Sequence, residues 1–450
     1  MNPKKIFRLP VSFVLKPTKR YIPIAQKFAF SHVIAFMWMI FSIYLSFPWV
    51  EEIGAFVTLP AAFFIVAGIA YIPGYLNAFM VFSLLFDRQP AIKIPQPSDP
   101  VTILVACYNE EMSIESTLGY IAMQDYEGEL KVIVIDNNST DNTSIVAEES
   151  GKKLGINLTV LHEPKPGKNN ALNSALNYVD TELLITLDAD TLLHKSAIRY
   201  IVGRLFSSPS DVCAVAGTVL VRNSRGKFLA RVQEWDYFLG IASIKRLQGM
   251  FQGTLVAQGA FSLYRTEAIR KINGWPDAIG EDIVLTWNLL SNNWKVYFEP
   301  LAVAFTDVPE SLNHFFRQRS RWARGMVEAL KVVKPWHQPL IYTKYLTSSN
   351  LIMPYLDIVY TFCWIPGLFL AFFGYYWIVG LTTLLVLPLA MIVNYILYHY
   401  QKKVFKTLGL RIRKNAFGFI AYVLFYQMLM SPISVWGYFQ EIFRSKRIWK

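Results

Sequence analysis

The chain has 450 residues, 53% of them hydrophobic, and a mean hydropathy of +0.31, too apolar for an ordinary soluble protein. Its net charge of +12 gathers beside the apolar blocks, in MNPKKIFRLPVSFVLKPTKR, QKKVFKTLGLRIRKN and FRSKRIWK, which fits anionic lipid headgroups better than nucleic acid. Three widely spaced cysteines, Cys107, Cys213 and Cys363, form no CxxC pair and argue against a disulfide scaffold or a zinc site.

A basic segment, residues 1–27, opens the chain. The first apolar run starts too late and lasts too long for a simple cleaved signal peptide. Two membrane spans are expected within residues 28–86, since a bilayer takes about 20 apolar residues per helix. One runs from Phe28 to Phe47; the other, from Ile53 to Phe86, is interrupted by Pro60 and Pro73. DRQPAIKIPQPSDP, residues 87–100, reads as a linker.

Residues 101–335 change character. VTILVACYN, LKVIVIDNN, LTVLHE and ELLITLDAD are short β-branched runs ending in polar residues, separated by helical stretches such as SIESTLGYIAMQ and NNALNSALNYV. Alternating strands and helices predict an α/β domain with a mostly parallel sheet and helices on both faces, inserted between transmembrane helices. Ligands of such sheets bind beyond the carboxyl ends of the strands, where the polar termini fall. An amphipathic interface helix is expected near residues 311–330. Residues 336–450 return to apolar runs, with spans near Leu351–Phe373, Trp377–Leu397 and Phe417–Phe443, the last broken by Pro432. Two spans before the domain place it on the cytoplasmic side with the basic N-terminus. A third span at the end would leave the basic tail outside, against the positive-inside rule, so a re-entrant pair is the alternative.

The strand exits carry the chemistry. Asp136-Asn137-Asn138 follows the second strand and could be only a turn or a helix cap. Gly167-Lys168 precedes a helix whose N-terminus suits a phosphate. Asp188 and Asp190 end a buried strand one residue apart, and two such carboxylates repel unless a cation lies between them. Hard oxygen ligands fit Mg²⁺ or Mn²⁺; the residues after Asp190 exclude an EF-hand loop. Glu281-Asp282 opens an amphipathic run, and a carboxylate beside another keeps the raised proton affinity a general base needs. Gln318, Arg321 and Trp322 share about one helix face, suited to a diphosphate and a sugar ring. A basic helix lying on the membrane surface explains the same segment.

In this order, the pieces D…DxD…ED…QxxRW resemble the family 2 glycosyltransferases, in particular the processive membrane-embedded polysaccharide synthases. The resemblance implies a GT-A nucleotide-sugar fold, UDP-sugar donors, a growing polysaccharide as acceptor, and inversion in a single displacement. It implies that Asp136 and Asn137 hold the uracil base, the Asn137 oxygen being able to accept the uracil N3–H. Lys168 and Asp188 would contact the nucleotide, and Asp190 would ligate the metal, with Asp188 beside it. Asp282, next to Glu281, would be the base; Gln318 and Arg321 would bind the diphosphate, and Trp322 would floor the acceptor site. Gln258-Gly259 stand where the family often has Ser-Gly on the acceptor side.

IASIKRLQ, VAQGAFSLYR and GEDIVLTW look most like the bacterial poly-β-1,6-N-acetylglucosamine synthases. Hyaluronan, chitin and cellulose synthases are the near alternatives. A polyprenyl-phosphate sugar transferase normally lacks QxxRW, and a channel would carry more ionisable residues in its spans than Asp357. The expected partners are a UDP-sugar, the polymer, the lipid bilayer and a small membrane subunit, with no nucleic acid. The expected place is the cell membrane, with secretion of the polymer across it.

Overall fold

The prolines of the second apolar stretch punctuate it. In the computed structural model, α1 (Ile24–Phe56) is one helix, and the chain turns at Val57–Thr58 into α2 (Leu59–Val66). Pro60 lies in the first turn of α2, where its missing N–H costs nothing, and Thr58 Oγ1 caps that turn by accepting from Ala61 N (3.4 Å). A π turn, Ala67–Tyr71, leads into α3 (Ile72–Leu85), whose Pro73 needs the slack such a turn supplies. The structure describes residues 22–380 and 386–443. The basic segment before residue 22, most of the basic tail and the middle of the expected Trp377–Leu397 span lie outside the described residues.

The linker leads into β1 (Val101–Cys107), α4 (Ile114–Ala122), β2 (Leu130–Asp136), α5 (Thr143–Leu154), β3 (Asn157–His162), α6 (Lys168–Leu176) and β4 (Leu183–Asp188). Then come β5 (Leu192–Leu193), α7 (Ala197–Phe206), β6 (Val212–Val221), α8 (Phe228–Trp235), α9 (Ala242–Met250), β7 (Phe261–Arg265), α10 (Thr266–Lys271), α11 (Glu281–Ser291) and β8 (Lys295–Thr306). The strands form one sheet in the order β3-β2-β1-β4-β7-β6-β8-β5. β3, β2, β1 and β4 are parallel, β7 runs against both its neighbours, and β6 with β8 is parallel again. The sheet is therefore mixed, with the half formed by β3, β2, β1 and β4 parallel as expected.

Alternation along the strands sends side chains to opposite faces. Leu104, Ile135 and Leu184 pack with α6 and α11, through Leu172 and Leu285. Ile103, Val105 and Ile185 pack with α4, α5 and α7, through Leu118, Ala147 and Ile198. The register sets Asp136 beside Cys107 and Asp188 beside Ala106, so both carboxylates leave the sheet at one edge. The antiparallel β7 brings Gly259, two residues before its start, to the same edge.

After β8 come α12 (Leu312–Val332), α13 (Ile341–Val359), α14 (Ile365–Phe372), α15 (Val386–Thr407) and α16 (Ala416–Ile442). α13 joins α14 through another π turn, Tyr360–Trp364, which like the first comes just before a proline, Pro366. α16 continues through Pro432 without a break. Among the described residues, four helices are long and apolar enough to cross a membrane: Ile24–Phe56, Leu59–Leu85, Ile341–Phe372 and Ala416–Ile442. A buried ion pair, Arg246 Nε to Asp87 Oδ2 (2.9 Å), ties α9 to the end of α3.

Candidate active site

Asp136 lies at the mouth of the sheet with its carboxylate already engaged. Ser139 N donates to Oδ1 (3.0 Å), Ser144 Oγ donates to Oδ2, and His162 Nδ1 stands 3.4 Å from Oδ2. Burial pushes its proton affinity up, but these hydrogen bonds outweigh burial and hold it below the usual carboxylate range. Asn137 has a job the sequence reading did not give it. Its Oδ1 accepts from Gly167 N (2.7 Å), and its Nδ2 donates to Glu163 O (3.0 Å) and Lys165 O (2.7 Å). The uracil contact implied by the resemblance thus meets an oxygen that already holds a loop. That loop delivers Gly167-Lys168 to the sheet edge, and Gly167, at φ +131°, adopts a backbone conformation that side chains resist.

Lys168 is the hub. Its Nζ donates to Asp188 Oδ1, and a Cβ added at Gly259 would lie 2.7 Å from Nζ and 3.7 Å from Glu281 Oε1. Burial opposes the charge on Lys168, but Asp188, Glu281 and Asp282 outweigh it and keep the ammonium protonated. One cation thus joins the first aspartate of DxD to the paired acids of α11, with room made by a glycine.

Asp190 follows in the turn after β4, where Thr191 N donates to Asp188 O (3.0 Å). Its Oδ1 accepts from Thr191 Oγ1 (3.2 Å) and Thr306 Oγ1 (3.3 Å); Oδ2 has no hydrogen bond among the described residues. Burial, then the charges of Asp188 and Glu110, push its proton affinity up to about 6. Glu110, itself raised first by burial, is an acid that the sequence reading did not assign to the site. Asp190 thus feels the charges of Asp188 and Glu110, with two hydroxyls as its hydrogen-bond partners among the described residues, a setting that a divalent cation would relieve. Among the described residues no group of three His, Cys, Asp or Glu is placed to hold a metal ion. The donor set fits a cation that takes its remaining ligands from phosphate oxygens and water.

Glu281 is buried at the first turn of α11, and Asp282 is half-exposed beside it. Burial, then the charge of Asp282, raise Glu281 to about 7, against the opposing charges of Lys168 and Arg321. Asp282 Oδ1 accepts from Ile283 N (2.8 Å), and its other oxygen carries no hydrogen bond among the described residues. Thr286 Oγ1 donates to Asp282 O (2.6 Å) and accepts from Ala257 N (2.9 Å), binding the start of α11 to the loop that carries Gln258 and Gly259. Gln258 turns away, its Nε2 donating to Gly217 O (2.9 Å). A second buried cation, Lys245 on α9, donates to Val256 O of this loop (2.8 Å); burial brings it down to about 7 against the charge of Asp282.

α12 closes the site. Gly325 meets Gly280 backbone to backbone, while Glu328 Oε2 accepts from Ile279 N (2.7 Å) and Gly280 N (3.4 Å). Gln318 has a buried Oε1 without a hydrogen-bond partner, and Arg321 and Trp322 are exposed. Between them sits Arg319, which the motif reading passed over. It is 2% exposed, its guanidinium stacks 4.0 Å from the centre of the Trp322 ring, and it donates to Asp236 Oδ2 (3.1 Å). Tyr426 OH donates to the same oxygen (2.6 Å). Burial raises the proton affinity of Asp236, which Arg319 opposes. No sequence signal pairs residues so far apart.

Residues 97–325 match the profile of a family described as glycosyltransferase-like family 2. The chain is 31% identical over 264 residues to the poly-beta-1,6-N-acetyl-D-glucosamine synthase of Staphylococcus epidermidis, covering 58% of this chain and 63% of that one. It is 32% identical over 245 residues to the synthase of the same name from Staphylococcus aureus (strain COL), covering 54% and 58%. These matches span less than two thirds of the relatives' own length. In fold, the chain is similar to a mannosyltransferase from Pyrobaculum calidifontis solved with GDP-Man and Mn²⁺, at a TM-score of 0.58 and 19% identity, covering 85% of this chain and 98% of that one. With a matched segment that takes in half of its length and contains every acidic motif of the site, the chain belongs to the glycosyltransferase-like family 2.

Proposed function

We propose that the protein is a processive, inverting glycosyltransferase that polymerises poly-β-linked N-acetylglucosamine from UDP-N-acetylglucosamine. The observation that carries the reaction is the convergence of Asp188, Glu281 and Gly259 on Lys168, with Asp282 and α12 alongside. The choice of sugar is supported by the staphylococcal relatives' names.

In this reading Lys168 and Arg321 balance the negative charge of the UDP group, and the Gln318 amide NH₂ donates to a diphosphate oxygen. Asp190, with Asp188 beside it, holds Mg²⁺ or Mn²⁺, which when bound stabilises charge on the departing diphosphate. Asp282 takes the proton of the acceptor hydroxyl as that oxygen attacks the anomeric carbon. The bond from that carbon to the UDP oxygen breaks, and UDP leaves with the electron pair. Attack opposite the leaving group inverts the centre, so an α-linked donor gives a β-linked product. Asp136 stands at the nucleotide end of the site, and Trp322 supports the sugar at the end of the growing chain. The catalytic domain faces the cytoplasm, as the basic flanks favour. The polymer leaves through the membrane helices, with a small membrane subunit as a partner.

The test is purified protein in lipid with a panel of UDP-sugars, with and without Mg²⁺ or Mn²⁺. UDP release only with UDP-N-acetylglucosamine and metal, and a product cut by a β-1,6-specific hydrolase, is the expected result. Turnover of another donor would overturn the sugar assignment, and full turnover in excess chelator would overturn the metal role of Asp190.

A further inference from the structure

α16 is 27 residues long and by length and composition could cross a membrane. Yet both of its ends are held by the catalytic domain. At its start, Asn415 Nδ2 donates to Arg231 O (2.8 Å) and Glu234 Oε2 (2.7 Å), and Trp235 Nε1 donates to Asn415 O (2.9 Å). At its end, Lys331 Nζ donates to Glu441 O (3.0 Å) and Oε1 (2.9 Å), and Arg324 Nε lies 3.7 Å from Oε2.

The contacts between these ends run in the same order along both helices. Phe315 meets the Tyr426 ring (6.1 Å between centroids), Ser320 and Ala323 meet Gly437, and Lys331 meets Glu441. α12 and α16 therefore lie side by side in the same direction. The sixteen-residue step from Phe315 to Lys331 is about 24 Å of helix. α12 carries Arg317, Arg319, Arg321, Arg324 and Lys331. Each such charge costs about 2.5–3.5 kcal/mol at the centre of a bilayer, so α12 stays outside the hydrocarbon layer. A helix laid along it, with both ends on domain residues, does not reach the far side of a layer about 30 Å thick.

We propose that α16 lies in the membrane surface on the side of the catalytic domain, with its outward face in the acyl region of that leaflet, instead of crossing the bilayer. The outward face is apolar at helical spacing: Phe417, Ile420, Leu424, Leu429, Trp436 and Phe439 are all exposed, Phe417 at 80%. Lipid is the occupant because the helix packs against the apolar Ile341–Phe372 helix through Asp357 and follows cationic sequence. Lys402, Lys403, Lys406, Arg411, Arg413 and Lys414 precede it with no acid among them, placed for anionic headgroups.

Asp357 fits the same arrangement. It accepts from Ser431 Oγ (2.6 Å) and Tyr438 OH (2.7 Å) of α16. The continuous Ile341–Phe372 helix, 32 residues, is about 48 Å long and exceeds the hydrocarbon layer. Its first half can remain near the surface, where a surface helix supplies the hydroxyls. The basic loop and the end of α16 then share one face of the membrane, which the positive-inside rule favours. This inference does not depend on which sugar is transferred.

The experiment places single cysteines at Lys406 and Phe443 of the full chain in membrane vesicles of both orientations, labelled with an impermeant maleimide. Labelling of both from the catalytic-domain face is expected; labelling from opposite faces overturns the proposal. A second measurement covers a label that reacts poorly at Phe443. Nitroxides at Ile420→Cys and Phe439→Cys should sit within about 5 Å of the same depth, in the acyl boundary. A crossing helix would separate them by about 28 Å and sink the idea.

Discussion

Gly280 and Gly325 touch through their backbones: a Cβ built on either would lie 2.8 Å from the Cα of the other. This contact seats the helix of Gln318, Arg321 and Trp322 against the start of the helix of Glu281 and Asp282. Two motifs far apart in the chain become one site because neither residue has a side chain.

Gly325→Val should therefore push α12 away from α11. Overpacking of this kind costs about 1–3 kcal/mol of stability. A shift of about 1 Å in catalytic groups can cost about 100-fold in rate. UDP release should fall far more than the thermal midpoint does; wild-type turnover in the variant would show that the glycine contact does not position the site.

Asp282→Asn keeps the shape of the side chain and removes the proposed base. Loss of a general base costs about 10²–10⁴ in rate. Turnover should drop by that much while UDP binding, read by calorimetry, is retained. A fully active variant would move the base to another residue, with Glu281 next in line.

The buried Glu281 gives a pH signature. Burial and Asp282 raise it from 4.5 to about 7, so between these values the folded chain holds a proton that the unfolded chain releases. Its contribution to stability is fully present below about 4.5 and is lost as pH rises through about 7. Glu281→Gln cannot ionise and escapes that loss. The midpoint of the variant minus that of the wild type should grow between about pH 5 and 7.5. A difference that stays constant over this range would refute the raised proton affinity.

Trp322→Ala should shorten the product more than it weakens donor binding, because the proposed mechanism sets the ring under the acceptor sugar and not at the nucleotide. Product length by gel and KM for the UDP-sugar separate the two. Wild-type length in the variant would remove Trp322 from the acceptor site.

Much of the parallel half-sheet was legible because short β-branched runs ended in polar residues at one edge. The acidic motifs were legible because Asp188, Asp190, Glu281 and Asp282 have no apolar reason to close buried strands or open a packed helix. Asn137 was read too narrowly: an asparagine at a strand exit can bind a ligand or a loop, and the loop around Gly167 lies thirty residues away in the sequence. Arg319 and Asp236 were invisible for the same reason, since an ion pair across 83 positions leaves no local pattern. The course of α16 was hidden for a different one. An apolar helix on a membrane surface and one through it have the same composition, and only the partners of Asn415 and Glu441 tell them apart.

Trp322 rests on Arg319, and Arg319 is fastened to Asp236 and, through it, to Tyr426 of α16. An isolated tryptophan on a helix surface would swing about its χ angles as a sugar slid over it. Here any sideways drag on the ring meets a guanidinium plate anchored in three separate parts of the chain. In the proposed site the ring would then serve as a fixed sill and not as a ratchet tooth. In the proposed polymerisation, the step that advances the product by one sugar must then come from movement of the polymer itself, while the surface beneath it stays still.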